Sequence, residues 1–123
     1  MDKTAEDLKV RTKRFAVAII ELAETLPHTA AGESLSRQLI RAGLGVAGNY
    51  RSACRARSHA EFTARLGIVL DEADESELWL DMIRDRKMST SQHLSRLLDE
   101  SQQLRAIFSK ACVTARGRER RVR

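Results

Sequence analysis

The sequence predicts an all-α protein that folds as one antiparallel up-down-up-down four-helix bundle. Its length of 123 residues suits a single domain with one hydrophobic core. One proline and 4% aromatic residues leave few of the residues that interrupt helices or favour β-strands. Apolar residues recur at alternating three- and four-residue steps in four stretches, which is the spacing of helices that each bury one face.

The first predicted helix begins at Thr4 and cannot continue past Pro27. The Thr4 hydroxyl can cap the first turn, with Asp7 three residues further on. The apolar residues that share one face of this helix are Leu8, Phe15, Ile19, Leu22 and Leu26.

The second predicted helix covers residues 31–57 and contains three glycines in its interior. Its core positions are Leu35, Leu39, Ala42, Val46, either Asn49 or Tyr50, and Ala53. Gly43, Gly45 and Gly48 each cost about 1 kcal/mol relative to alanine within a helix. Two explanations stand: close approach of another helix, with the Asn49 amide bonding across the contact, or a locally irregular helix.

The third and fourth predicted helices start at hydroxyl caps. The residues from Ser58 to Glu61 form a capping box for the third helix, and Ser89, Thr90 and Ser91 offer caps for the fourth. Their core positions are Phe62, Leu66, Val69, Ala73, Ser76, Leu80 and Ile83, then Leu94, Leu97, Ser101, Leu104, Phe108 and Ala111. Fraying is expected near Gly117, so residues 1–115 form the bundle and residues 116–123 a basic disordered tail.

Several residues of the second and third helices lie off these core stripes. Ile40, Leu44, Trp79 and Met82 form a second apolar set, and Asn49 offers an amide that can fix the register of a contact. We predict that these five residues form the interface of a homo-oligomer. The alternative is a core wider than an ideal helical wheel allows.

Charge is distributed unevenly along the chain. The net charge is +5, and residues 31–57 contribute +4, residues 58–86 contribute −5, and residues 116–123 contribute +4. Arginine binds phosphate oxygens through paired donors, so Arg37, Arg41, Arg51 and Arg55 are candidate nucleic-acid-binding residues, together with Arg118, Arg120 and Arg121 of the tail. The alternative is a solvated face whose arginines pair with the acidic third helix.

Other functional classes receive little support. No apolar run reaches the roughly 18 residues that span a bilayer, and the N-terminus lacks a secretory signal, so we expect a cytoplasmic protein without membrane contact. Cys54 and Cys112 are expected to be inert. The three histidines lie at helix starts or links and form no Glu-x-x-His pair, so we expect no metal, no cofactor, no catalytic residue and no enzyme activity.

The segment Gln38 to Asn49, followed by Ser58, Glu61-Phe62, Leu66 and the acidic stretch from Glu72 to Leu80, resembles the four-helix bundle proteins related to the 23S ribosomal RNA intervening-sequence protein. The resemblance implies a ring of five subunits. It also implies a relationship to the accessory variability protein of diversity-generating retroelements, which assists a reverse transcriptase and binds nucleic acid through a basic surface. Many relatives continue the asparagine with Ala-Glu-Gly, whereas this chain has Tyr50-Arg51-Ser52-Ala53, which places it on a divergent branch.

Two functions therefore compete. The first is a non-enzymatic oligomeric scaffold that binds the backbone of RNA or DNA through a basic surface, in one version as the accessory of a nucleic-acid enzyme. The second is a protein-interaction adaptor whose charges serve only subunit contacts and solubility. Salt dependence distinguishes them, because phosphate contacts release counterions.

Overall fold

The computed structural model describes the backbone of residues 3–122 and the side chains of residues 3–118. Four helices follow in order: α1 (Lys3–Ala23), α2 (Ala30–Cys54), α3 (His59–Asp85) and α4 (Gln92–Val122). Each helix packs on the next, and α4 returns to contact α1, which closes the bundle. The described residues contain no strand. The predicted all-α four-helix bundle is confirmed.

The link between α1 and α2 is a tight turn that ends α1 earlier than Pro27 requires. After Ala23, the backbone N–H groups of Thr25 and Leu26 donate to carbonyls three residues back, and this tightens the chain out of the helix. Thr29 then caps α2, since its hydroxyl accepts a hydrogen bond from the Gly32 N–H at 3.0 Å. A Cβ at Gly32 would lie 2.0 Å from the Pro27 carbonyl oxygen, so only glycine fits there.

α2 ends at Cys54, three residues before its predicted limit, because Ser58 already adopts the extended backbone of an N-cap. The Ser58 hydroxyl accepts from the Glu61 N–H at 3.0 Å. Glu61 reaches back as predicted, but its carboxylate accepts from the N–H of Arg57 at 2.8 Å. The capping signal is therefore confirmed, with the return bond shifted by one residue.

α3 ends in a Schellman turn at Lys87. Lys87 has a positive φ of 54°, an unusual conformation for a residue with a side chain. Its N–H donates to the Arg84 carbonyl at 3.0 Å, and the N–H of Met88 donates to the Ile83 carbonyl at 3.0 Å. This turn brings Met88 back against the hydrophobic core.

The core consists of the predicted stripes of all four helices. Tyr50 occupies the core position for which Asn49 was the alternative, and its ring lies 5.4 Å from that of Phe108. Leu8, Phe62 and Ala111 are only partly buried, since they lie near one end of the bundle. Ala115 is the last buried residue of the described side chains. Helix α4 nevertheless continues through Gly117 to Val122, past the predicted end of the bundle; disorder of the tail in solution stays a prediction.

Candidate nucleic-acid and subunit interface

The outward face of α2 and the C-cap residue that follows it present the four arginines that the sequence singles out. Arg37, Arg41, Arg51 and Arg55 are all exposed. At 1.5 Å per residue, the stripe from Arg37 to Arg55 extends over roughly 27 Å. The stripe has no side chain at Gly48, where an added Cβ would have no neighbour within 4 Å.

Most of this positive charge has no counter-charge within the subunit. Arg41 approaches the Glu75 carboxylate of α3 at 3.5 Å and also donates to the Gln38 side chain at 2.9 Å. Arg37, Arg51 and Arg55 form no ion pair with any side chain between residues 3 and 118. The α2 stripe therefore remains positive in the folded subunit.

The acidic residues of α3 form their ion pairs mainly with basic residues outside the α2 stripe. Glu61 pairs with Arg65 and Asp81 pairs with Arg84, both within α3. Glu77 pairs with Arg105 of α4 at 2.5 Å. The alternative in which α3 neutralises the basic stripe thus applies to Arg41 alone among the described pairs.

The seam between α2 and α3 is shaped by Gly45. The carboxyl group of Glu72 lies directly against this glycine, so that an added Cβ would be 2.7 Å from Glu72 Cδ. Glu72 Oε2 is buried and accepts no hydrogen bond. Burial, reinforced by repulsion from Glu75, raises the pKa of Glu72 above its ordinary value, while Arg41 acts in the opposite direction.

A second buried polar atom on the same seam lacks a partner. Trp79 lies two helical turns after Glu72 on α3, and its indole N–H donates to no group. Buried polar groups in folded proteins are almost always hydrogen-bonded, so an orphan donor and an orphan acceptor on one seam require an explanation.

The five predicted interface residues do not form one patch in the subunit. Asn49 and Trp79 lie along the α2–α3 seam, Met82 of α3 is exposed, and Leu44, which is 48% exposed, lies among the arginines. Ile40 lies one turn from Ser36 and Gly43, which contact α1. The Asn49 amide donates to the Gly45 carbonyl of its own helix at 2.8 Å, and no bond from it across to another helix is present among the described residues.

Glycines 43 and 45 confirm the predicted close approach of neighbouring helices. A Cβ at Gly43 would lie 2.8 Å from Cγ2 of Ile19 in α1, and Gly45 accommodates Glu72 of α3. Gly48 has no such neighbour within the subunit. Sequence reasoning missed Glu72 because it is one of eight acidic residues in its segment, and only the position opposite Gly45 distinguishes it.

The predicted tail residues can be located only in part. Arg118 is exposed on the last turns of α4, whereas the side chains of Arg120 and Arg121 lie outside the described residues. Arg116, which is also exposed, lies near Cys112.

The described residues were compared with the requirements of a metal site and of a membrane span. No group of three or more His, Cys, Asp or Glu side chains within them is placed to hold a metal ion, and none of the four helices is long and apolar enough to cross a membrane. Burial raises the pKa of the Cys112 thiol, which keeps it in its unreactive protonated form, whereas Cys54 is half-buried.

Comparison with known proteins gives one family. The sequence pattern described as "23S rRNA-intervening sequence protein" matches residues 6–110. A crystal structure of a protein of unknown function from the S23 ribosomal protein family of Bacteroides thetaiotaomicron VPI-5482 superposes with a TM-score of 0.78, at 28% identity, over 85% of this chain and 97% of that one. No curated protein matches the sequence.

Proposed function

The chain belongs to the 23S rRNA-intervening sequence protein family, and we propose that it is a non-enzymatic cytoplasmic scaffold that binds the sugar–phosphate backbone of RNA or DNA. The α2 arginine stripe makes the contact, and the basic residues at the end of α4 extend it. A role as accessory to a reverse transcriptase or another nucleic-acid enzyme rests on the family resemblance alone.

The observation that supports this function best is the unpaired charge on α2. Arg37, Arg51 and Arg55 have no carboxylate partner among the described residues although the adjacent helix carries eight acidic side chains. Guanidinium groups that are exposed and unpaired can donate hydrogen bonds to phosphate oxygens without first breaking an ion pair. The open space at Gly48 lets a phosphate group approach the helix backbone at that position.

Self-association is the second part of the proposal. A neighbouring subunit would cover the apolar side chain of Leu44, which is 48% exposed. It would also cover the exposed side chain of Met82. A ring repeats the α2 stripe around an axis and so multiplies its electrostatic field. Five subunits are expected from the family resemblance.

Binding is tested by replacing Arg37, Arg41, Arg51 and Arg55 with glutamine. The matched control replaces Arg65, Arg84, Arg86 and Lys110, which removes the same charge from α3 and α4. Affinity for a generic RNA duplex and a generic DNA duplex, measured by fluorescence anisotropy, should fall at least tenfold for the α2 variant and about threefold or less for the control. Equal losses in both variants would show only an effect of net charge.

Assembly is tested separately by sedimentation. The wild-type chain should sediment well above its monomer mass of 13.9 kDa at tens of micromolar. Met82→Glu, which places a charge on an exposed apolar position of α3, should leave the helical content unchanged and lower the sedimentation coefficient. A wild-type protein that sediments as a monomer would overturn the ring.

The protein-interaction adaptor is the competing function. Removal of the basic residues at the end of α4 helps to distinguish it from nucleic-acid binding. A chain that ends after Ala115 keeps every buried side chain of the described residues but loses the basic end. If nucleic acid binds, this chain should melt cooperatively and bind more weakly on all sequences, with a smaller salt dependence. If neither this chain nor the α2 variant differs from wild type in nucleic-acid affinity or in its salt dependence, the basic-surface mechanism is wrong and the adaptor is favoured.

A further inference from the structure

A large cavity lies on the side of the bundle away from the α2–α3 seam. It has a volume of about 750 Å³ and opens between α1, the α3–α4 turn and the first turns of α4. Pockets of roughly 300–1,000 Å³ are typical of small-molecule sites. Neither the proposed nucleic-acid contact nor the proposed subunit contact uses these residues.

The cavity exists because α1 and α4 diverge. Arg11 of α1 joins α4 through two hydrogen bonds to the Glu100 carboxylate, at 2.7 and 2.8 Å. Over their full lengths, α1 and α4 contact each other less than any other neighbouring pair of helices does. The α1 wall, from Arg14 to Thr25, has a length of roughly 16 Å at 1.5 Å per residue. The space is therefore an elongated groove.

The floor of the groove is apolar. Phe15 and Leu22 of α1 and Leu97 of α4 line it and belong to the hydrophobic core. Ala18 leaves room above them, and Met88 closes the end, where the Schellman turn at Lys87 positions it. An apolar chain or ring system placed here would continue the packing of the core.

The rim of the groove is positive. Arg14 on α1 and Arg96 on α4 line the cavity from its two walls, and neither forms an ion pair with a described side chain. The negative charge of Glu100 is already taken up by Arg11. Glu21 is the one lining carboxylate without an ion-pair partner among the described residues, so the two arginines outweigh it.

We propose that this groove binds an amphipathic anion, a small molecule with an elongated apolar body and one anionic head group. The body lies on Phe15, Leu22 and Leu97 under Ala18, and the head group bonds to Arg14 and Arg96. Two guanidinium groups on opposite walls favour one anion between them. The anionic head group is complementary to the unpaired positive charge, and the apolar body is complementary to the apolar floor of the groove.

The test uses three probes with the same decyl chain: decanoate, decanol and decylamine. Their head groups are negative, neutral and positive at neutral pH. We expect decanoate to bind at least tenfold more tightly than decanol and decylamine to bind most weakly, by isothermal titration below the micelle concentration. Equal affinities, or no measurable binding of decanoate, would overturn the proposal.

Variants locate the binding. Arg14→Gln with Arg96→Gln should lower decanoate affinity about tenfold and leave decanol affinity unchanged. The matched control, Lys13→Gln with Lys110→Gln, removes the same charge from the same two helices outside the cavity and should bind like wild type. Glu21→Gln should tighten decanoate binding, because it removes the opposing charge. Equal effects of the two double variants would contradict the assignment.

The methyl signal of Met88 reports ligand binding at this site in the wild-type protein. The chain contains Met1, Met82 and Met88, and only Met88 lines this cavity among the described residues. In the ¹³C-methyl-methionine spectrum, decanoate should shift the Met88 signal at the concentrations that titration gives, while the Met82 signal stays in place.

Ala18→Phe, which fills the groove, should abolish the shift, and the Met82 signal shows whether that variant is folded. A shift of Met82 with none of Met88 would place the ligand elsewhere. Failure of this test leaves the nucleic-acid proposal intact, since the two sites share no residue.

Discussion

Replacement of Gly43 by alanine tests how closely α1 and α2 approach. An added Cβ would lie 2.8 Å from Cγ2 of Ile19 and 3.1 Å from its Cβ and Cγ1, and Ile19 is fully buried. These atoms belong to a branched core side chain near its backbone, so the helices themselves must move. Overpacking of this kind costs about 1–3 kcal/mol.

The same substitution at Gly48 is the matched control. Both sites lie within α2, and alanine gains about 1 kcal/mol of helix propensity over glycine at each. Nothing lies within 4 Å of a Cβ at Gly48, so that variant keeps the gain. Gly43→Ala should therefore range from no net change to a loss of about 2 kcal/mol relative to wild type, which places it about 1–3 kcal/mol below Gly48→Ala.

Urea unfolding measures this difference at a concentration where both variants have the same sedimentation coefficient. The free energies are comparable if the m-values agree. A Gly43→Ala protein that is as stable as Gly48→Ala would show that the contact with Ile19 can relax, and the explanation for that glycine would be wrong.

Substitutions at three further positions address local features. Lys87→Gly should stabilise the fold by about 0.5–1 kcal/mol by relieving the positive φ, whereas Lys87→Ala should give no such gain in thermal denaturation. Ser58→Ala should cost about 1 kcal/mol through loss of the α3 cap, and Ser58→Asp should restore most of it; an unchanged midpoint would contradict the cap. For Glu72, the raised folded pKa means that its favourable contribution is present below the ordinary carboxyl pKa and is lost as pH rises through the folded value. The stability advantage of Glu72→Gln, measured where both proteins have the same sedimentation coefficient, should therefore grow as pH rises above the ordinary carboxyl pKa, and a pH-independent difference would refute it.

The helical stripes could be predicted from the sequence because burial follows the helix period directly. Leu39, Val46 and Leu80 were assigned to the core from spacing alone, and each is fully buried. The helix ends were predicted less well. α1 stops at Ala23 because hydrogen bonds after it tighten the turn, and Thr29, which was not identified as a cap, starts α2. Such ends depend on how the chain turns and not on periodicity.

The candidate site was less accessible to sequence reasoning because it depends on which residues oppose each other. The arginine stripe on α2 follows from four-residue spacing, but its lack of partners depends on where α3 directs its carboxylates. Glu72 differs from the other acidic residues of α3 through its contact with Gly45, which the sequence does not reveal. The groove between α1 and α4 could not be predicted from the sequence. Its lining residues have the spacing of ordinary helix faces, and the groove arises only because the two helices diverge.

The salt dependence of nucleic-acid affinity tests the central claim most directly. For a duplex, each phosphate contact contributes a slope of about −0.9 to the logarithm of affinity against the logarithm of salt concentration. Replacement of Arg37, Arg41, Arg51 and Arg55 by glutamine should make the slope of one bound subunit shallower by roughly 3 to 4, while the variant with Arg65, Arg84, Arg86 and Lys110 replaced should change it by less than about 1. Equal slopes for wild type and both variants would contradict backbone binding by α2.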